Sequence, residues 1–141
     1  MSWFYWAVAA AVFWGLGPIF AKLGLEKTDA FTALLIRSAA VLVVLLVWGL
    51  SRGGLLGRLG SVDGKTWLLL VLEGSSASVI AHFAYFNALK IGNMGSVVPI
   101  TASYPLLAMV LSVILLGSRI TAGKWLGALL TVAGIYLLQR Y

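Results

Sequence analysis

The feature that most constrains this chain is a series of long apolar runs in which apolar and polar residues do not alternate. Runs such as VLVVLLVWGL and LLAMVLSVILL therefore differ from the strands of a membrane β-barrel. A run of about 20 mainly apolar residues can cross a bilayer, and its backbone must then satisfy its own hydrogen bonds as a helix. Five segments meet this description, with approximate bounds 3–25, 30–50, 66–89, 96–116 and 121–139.

Composition agrees with a lipid environment. Hydrophobic residues make up 62% of the chain and charged residues 10%, against about 45–50% and about 25% in soluble domains. We expect residues 1–141 to form one all-α transmembrane domain in a plasma membrane. The first segment lacks the basic start of a signal peptide and is expected to remain as a span.

The same composition argues against several function classes. The chain has 4 acidic residues, one histidine and no cysteine, so neither a metal site nor a catalytic constellation is expected. Its lysines and arginines are scattered singly, which argues against nucleic acid as a partner. We expect no enzymatic activity and no cofactor.

The orientation of the spans is only weakly encoded. Short connections make neighbouring helices antiparallel, and five spans place the termini on opposite sides. The side of the N-terminus carries five Lys and Arg residues and the other side four, with Arg37 left out as intramembrane. Positive charge favours the cytoplasmic side. Two alternatives stay open: insertion in both orientations, giving an antiparallel dimer, or one orientation held by Arg52 and Arg58.

Three ionisable residues lie inside predicted spans: Arg37, Glu73 and His82. An intramembrane charge costs at least about 2.5–3.5 kcal/mol and usually faces a bundle interior or a wet cavity. The helical rise places Arg37 near the depth of His82, with Glu73 roughly 10 Å away. The Glu73 of an antiparallel copy would then lie level with Arg37. The alternatives are an Arg37 that reaches the head groups, a solvated Glu73 and a His82 bonded to a neighbouring helix.

Proline and glycine interrupt two predicted helices. An interior proline removes one backbone hydrogen bond and kinks the helix, and broken helices expose polar backbone to substrate in many carriers. A static kink is the alternative. The predicted breaks or hinges are Gly15, Gly17, Pro18, Pro99 and Pro105, and the neighbouring Trp14 and Tyr104 are candidate cavity aromatics.

The last predicted helix carries small residues on one face. Gly123 and Gly127 have GxxxG spacing, and Gly134 continues the face. Such faces let helices approach closely. We expect a dimer seam here, with an internal helix contact as the alternative.

Several of these stretches resemble the EamA domain of the drug/metabolite transporter superfamily. They are FNALKIGNMGSVVPITASYPLLAMVLSVILLGSRITAGKWLGALLTVAGIYLL, AAAVFWGLGPIFAKLGL and the arginine in LLIRSAAV. Most members carry two such units as inverted repeats. The resemblance therefore implies that this single unit forms a ten-helix, alternating-access carrier as a homodimer or with a second half-size protein, in a bacterial or archaeal membrane.

Two departures from related proteins bear on mechanism. The family commonly has an acidic residue after the glycine that closes the fourth helix, whereas this chain has Gly117-Ser118-Arg119. Related small multidrug resistance proteins use a glutamate in the first helix, and here none precedes Glu26. Their proton exchange carries over only if Glu73 has taken that role.

The sequence thus predicts a small-solute transporter with substrate-binding residues Arg37, Glu73, Tyr104, His82 and Trp14. A flippase component for a lipid-linked metabolite is one alternative, and it predicts a lateral opening toward lipid. A non-transporting membrane scaffold is the other, and it predicts tightly packed small residues.

Overall fold

A computed structural model describes residues 3–140, apart from the side chain of Gln139, and every regular element in that range is helical. An eight-residue π-helix, Gly74–Ala81, separates α4 from α5. The α-helices are α1 (Trp3–Leu25), α2 (Ala30–Ser51), α3 (Leu55–Gly60), α4 (Gly64–Glu73), α5 (His82–Ile91), α6 (Met94–Thr101), α7 (Tyr104–Leu116) and α8 (Ala122–Arg140).

The helices account for most of the predicted spans. Within residues 3–140, four stretches are long and apolar enough to cross a membrane: Trp3–Leu25, Ala30–Ser51, Gly64–Ile91 and Met94–Leu116. The fifth apolar stretch, Ala122–Leu138, is shorter. The prediction of an all-helical, multi-pass chain is confirmed.

Side-chain caps define where several helices begin. Asp29 accepts hydrogen bonds from the backbone of Phe31 and Thr32 at the start of α2. Asp63 accepts from the backbone and hydroxyl of Thr66 at the start of α4. These bonds satisfy amides that the first helical turn leaves unpaired. Charge-stabilising hydrogen bonds, first those from the side chains of Thr32 and Thr66, hold the pKa values of Asp29 and Asp63 below the usual 3.8.

The predicted helix breaks have different outcomes. Helix α1 continues through Gly15, Gly17 and Pro18, so the break expected there is absent. A proline removes only its own amide hydrogen bond, and the bonds on either side hold the helix together. The fourth apolar stretch does break: α6 ends at Thr101 and α7 begins at Tyr104, with Pro105 in its first turn. Pro99 lies inside α6.

Residues 3–140 fall into two compact units, one within residues 3–91 and one within residues 92–140. In the first unit, α5 packs against both α1 and α2, which also contact each other. In the second unit, α6 packs against α8. Among the described residues, the buried hydrophobic side chains all belong to the first unit: Leu25, Ala30, Leu34, Phe86 and Leu89.

The connection between α2 and α4 is built as a separate small structure. Gly53 and Gly54 both have a φ of +65°, which lets the chain turn sharply from α2 into α3. The Leu59 carbonyl then accepts a hydrogen bond from the Trp67 indole at 3.3 Å, joining α3 to α4. Beside this bond lies an open apolar groove of about 300 Å³, lined by Leu59, Val62, Trp67, Leu70 and Val71.

Candidate functional site

Two lysines join the helices of the first unit at one end. Lys22 of α1 donates to the carbonyl of Leu89, and Lys90 of α5 donates to the carbonyl of Thr28 at 2.6 Å. The end defined by these four residues is called the joined end below. Ammonium groups there offset the partial negative charge at the carboxyl ends of α1 and α5.

The three helices meet along faces with one shared pattern. On α1, α2 and α5, the partly or fully buried positions nearest the joined end follow i, i+3, i+4, i+7 spacing, so each set lies on one helical face. The sets are Pro18, Ala21, Lys22 and Leu25; Ala30, Ala33, Leu34 and Arg37; and His82, Tyr85, Phe86 and Leu89.

Arg37 and His82 occupy the positions of these faces farthest from the joined end. Beyond Arg37, every residue of α2 except Gly49 is exposed, and Trp14, one turn beyond Pro18 on α1, is 69% exposed. Helix packing within the first unit therefore stops at the level of Arg37 and His82.

The helical rise places three predicted site residues at similar distances from the joined end. Trp14 precedes Lys22 by eight residues, Arg37 follows Thr28 by nine, and His82 precedes Leu89 by seven. At 1.5 Å per residue, each lies about 10–14 Å from the joined end. Trp14, Arg37 and His82 thus lie near one level, on three helices that contact one another.

His82 is held by its backbone and aromatic neighbours. Its Nδ1 lies 2.8 Å from the carbonyl oxygen of Ala77, and its ring meets those of Tyr85 and Phe86 edge-on at 6.4 and 6.1 Å. A carbonyl only accepts hydrogen bonds, so Nδ1 carries the proton in the neutral ring. Nε2 is then left as an acceptor for a solute or a water molecule.

Glu73 and His82 stand at the two ends of the π-helix. Glu73 is exposed, and its backbone carbonyl accepts from the Ser76 hydroxyl at 3.1 Å. A serine hydroxyl makes the same bond in an ordinary α-helix. The hydrogen bond of the His82 ring, in contrast, reaches back five residues to the carbonyl of Ala77. π-Helical segments are rare and often coincide with functional sites.

Arg37 and Glu73 do not pair within one chain, and their pairing between two copies stays a prediction. Among the described residues, the guanidinium of Arg37 has no ion pair or hydrogen bond, and neither does the carboxylate of Glu73. Tyr104 belongs to the second unit, at the exposed start of α7. Beside it, the hydroxyls of Thr101 and Ser103 donate to the carbonyls of Val97, Val98 and Ile100.

The predicted seam on α8 is open in the single chain. A Cβ atom placed on Gly123, Gly127 or Gly134 would have no neighbour within 4 Å. The same holds for Gly15, Gly17 and Gly74. Across residues 3–140, no three metal-binding side chains come together.

Sequence reasoning missed three features of this region: the π-helix, the two lysine bonds and the groove. The lysines had a readable signal, because Lys22 and Lys90 each fall in the last turn of a helix, where cations are favoured. No residue propensity predicts the π-helix, because the sequence Gly74–Ala81 has the composition of an ordinary helical face of small residues.

Long apolar helices and a small intrachain core define a multi-pass membrane protein. The chain belongs to the EamA-like transporter family, which matches residues 1–140. The expected resemblance is thereby confirmed.

Two of the three curated relatives described next are named as transporters, and the three differ in length. An uncharacterized transporter of a Sinorhizobium species, named for the cobO 3′ region, is 32% identical over 99% of this chain and 98% of its own length. An uncharacterized protein of Methanocaldococcus jannaschii is 27% identical over 92% of this chain and 90% of its own length. An uncharacterized transporter of Archaeoglobus fulgidus is 25% identical over 94% of this chain but only 46% of its own length. No solved structure matches the chain significantly.

Proposed function

We propose that this protein moves a small solute across the membrane by alternating access, as a dimer of two five-helix units. The observation that carries the proposal is how the length of this chain compares with the lengths of two relatives. The whole chain matches a half-size transporter from end to end, and it matches less than half of a longer one. A transporter that needs two such units obtains them either in one chain or from two chains.

The small intrachain core supports assembly. Large side chains such as Trp6, Phe20 and Leu126 are exposed along the helices. Lipid covers such surfaces, but a half-buried Arg37 and an exposed Glu73 within apolar helices need water or a partner. In our proposal, two copies enclose a wet cavity lined by Trp14, Arg37 and His82, with Glu73 and Tyr104 also contributing.

The proposed dimer is antiparallel, and it pairs Arg37 of one copy with Glu73 of the other until an anionic solute group displaces the carboxylate. The charge-exchange test compares Arg37→Glu, Glu73→Arg and the double variant in proteoliposomes. Each single variant is expected to abolish flux and the double variant to restore part of it. A double variant as inactive as the singles contradicts the pairing.

In our proposal, Glu73 and His82 couple transport to protons, because a carboxylate and an imidazole within one apolar helix can each bind and release a proton. Solute flux into proteoliposomes is measured with and without a pH gradient, using Glu73→Gln and His82→Ala. Loss of the gradient response in either variant supports coupling through that group. Flux and gradient response that match the parent protein in both variants remove proton coupling through these side chains.

Cysteine accessibility separates this proposal from the flippase and scaffold alternatives. The chain has no native cysteine, so single cysteines at positions 37, 73 and 82 report directly on water access. Reaction with a membrane-impermeant thiol reagent, blocked by solute, supports the carrier. No reaction at any of the three positions supports a scaffold, and reaction only with a lipid-soluble reagent supports a flippase.

A further inference from the structure

We propose that the connection between α2 and α4 is a binding site for an anionic phospholipid, with the head group on the loop cations and an acyl chain in the apolar groove. The site is independent of the solute cavity. It uses none of the residues assigned to solute binding.

The cations of this connection are available for a phosphate. Arg52 directly follows α2, Arg58 lies in α3, and Lys65 lies in the first turn of α4. None of the three forms an ion pair within residues 3–140. The one carboxylate of the connection, Asp63, is occupied by the amide and hydroxyl of Thr66. Three cations and one carboxylate give the connection a net charge of +2, which favours an anionic ligand.

The groove supplies the apolar half of the site. All five lining residues are hydrophobic, and Trp67 is held against α3 by its bond to the Leu59 carbonyl. Arg58 directly precedes the groove residue Leu59 in α3, and in our proposal its guanidinium lies at the rim of the groove. This order, with charge at the rim and hydrocarbon inside, matches a phospholipid better than a free phosphate, which would leave the groove empty.

Tryptophans place the site at the membrane surface. Trp48 lies near the end of α2, under the guanidinium of Arg52 at 4.8 Å from its ring centre, and Trp67 lies in the first turns of α4. Trp3 and Trp6 lie at the start of the antiparallel α1. Tryptophan concentrates at the head-group level of bilayers, so the cations and the groove mouth lie where lipid phosphates are.

Short α3 has the composition of a segment that lies on the bilayer surface. Leu56 is 83% exposed and Leu59 is 42% exposed, and both flank Arg58 on a helix too short to span. Leu55 instead faces α2, with its side chain against Gly49. α3 is thus fixed to α2 on one side and presents leucine and arginine on the other.

The test counts phospholipid on the purified full-length chain by native mass spectrometry. The detergent-solubilised protein is titrated with phosphatidylglycerol, phosphatidylcholine of the same acyl chains, and glycerol phosphate. We expect preferential retention of phosphatidylglycerol and no retention of glycerol phosphate. Equal retention of the two phospholipids overturns the head-group assignment, and retention of glycerol phosphate alone overturns the acyl-chain assignment.

Matched variants locate the site. Arg58→Gln and Lys65→Gln are each expected to weaken phosphatidylglycerol binding about fivefold, the effect of roughly one surface cation. Arg119→Gln, in the connection before α8, is the control and should leave binding unchanged. Val71→Phe fills the groove and should reduce binding, whereas Leu69→Phe, on the same helix outside the groove, should not.

Helix content and elution volume show that each variant is folded. Arg52→Gln replaces either cation variant that fails this check. The proposal is overturned if Arg119→Gln weakens phosphatidylglycerol binding as much as the loop variants do, because general surface attraction then explains the binding. It is also overturned if Val71→Phe and Leu69→Phe have equal effects. Solute flux is a separate readout, so failure here leaves the transport proposal standing.

Discussion

At the scale of single residues, the most consequential side chains are two lysines whose role is to join helices. Lys22 and Lys90 bond to carbonyls on neighbouring segments of the first unit. A hydrogen bond from a charged donor contributes more than a neutral one, and a lost partner leaves a helix-end carbonyl unsatisfied.

Lys22→Met is therefore expected to lower the free energy of unfolding by roughly 1.5–3 kcal/mol, with a smaller loss for the more exposed Lys90→Met. Thermal unfolding in detergent, followed by circular dichroism, measures the change. Lys124→Met, an exposed cation at the start of α8, is the control. Equal midpoints for all three variants would show that the two bonds do not hold the unit together.

The capping aspartates make stability depend on pH. Hydrogen bonds, led by those from the Thr32 and Thr66 side chains, lower the pKa values of Asp29 and Asp63 below 3.8. Because the folded values are lower than the unfolded ones, the stabilisation is present above about pH 3.8 and is lost as pH falls through the folded values. The double variant Asp29→Asn/Asp63→Asn keeps both caps without a titrating group. Its unfolding midpoint should fall less in acid than that of the parent, and parallel acid profiles would contradict this.

Residue types in the chain were enough to propose members of the candidate site but not its geometry. The cost of charge in lipid singled out Arg37, Glu73 and His82 from the sequence, and the structure puts Arg37 and His82 at the far ends of packed faces. Whether Arg37 meets a partner copy depends on contacts outside the chain, which no local pattern encodes.

At the scale of elements, the π-helix between Glu73 and His82 sets the relative direction of these two side chains. Removing one residue from a π-helical turn lets the segment relax to an α-helix. Because the two helix types turn by different angles per residue, the direction of Glu73 relative to His82 then changes.

Deletion of Ser75 is accordingly expected to keep the helical content while reducing solute flux at least about tenfold, because misplaced groups lose most of their effect. Circular dichroism and proteoliposome flux measure the two quantities. Gly74→Ala is the control, since a Cβ at Gly74 meets nothing within 4 Å. A fully active deletion variant would show that the π-helix has no part in transport.

Element positions were largely predictable, and the exceptions have identifiable causes. Length and hydropathy located α1 and α2 to within about a residue, because lipid-spanning runs and the Asp29 cap leave little choice. The same reasoning predicted a helix break at Pro18, but the long helix α1 continues through this proline. It found no sign of α3, since six residues carry too little periodicity.

At the scale of the whole molecule, the exposed glycines of α8 are the predicted seam between two copies. Replacing Gly127 with leucine should weaken self-association by blocking close helix approach, while leaving the monomer folded because the site is open within the chain.

Gly127→Cys should form a disulfide-linked dimer under mild oxidation. Phe20→Cys, at an exposed position of α1, is the control for random collisions. Equal crosslinking of both variants, or a Gly127→Leu protein that associates as strongly as the parent, would place the seam elsewhere.

The lysine bonds at one end of the first unit also restrict how its three helices can move. When helices are held together at one end, they separate most at the other end, because the displacement of each helix increases with distance from the fixed end. A spin label at Lys27 should stay nearly still during the transport cycle, while one at Trp48 should sweep the widest arc. In each copy, the end that carries the α2–α4 connection is then the end that moves. In the proposed antiparallel dimer, the two copies present one such end to each side of the membrane.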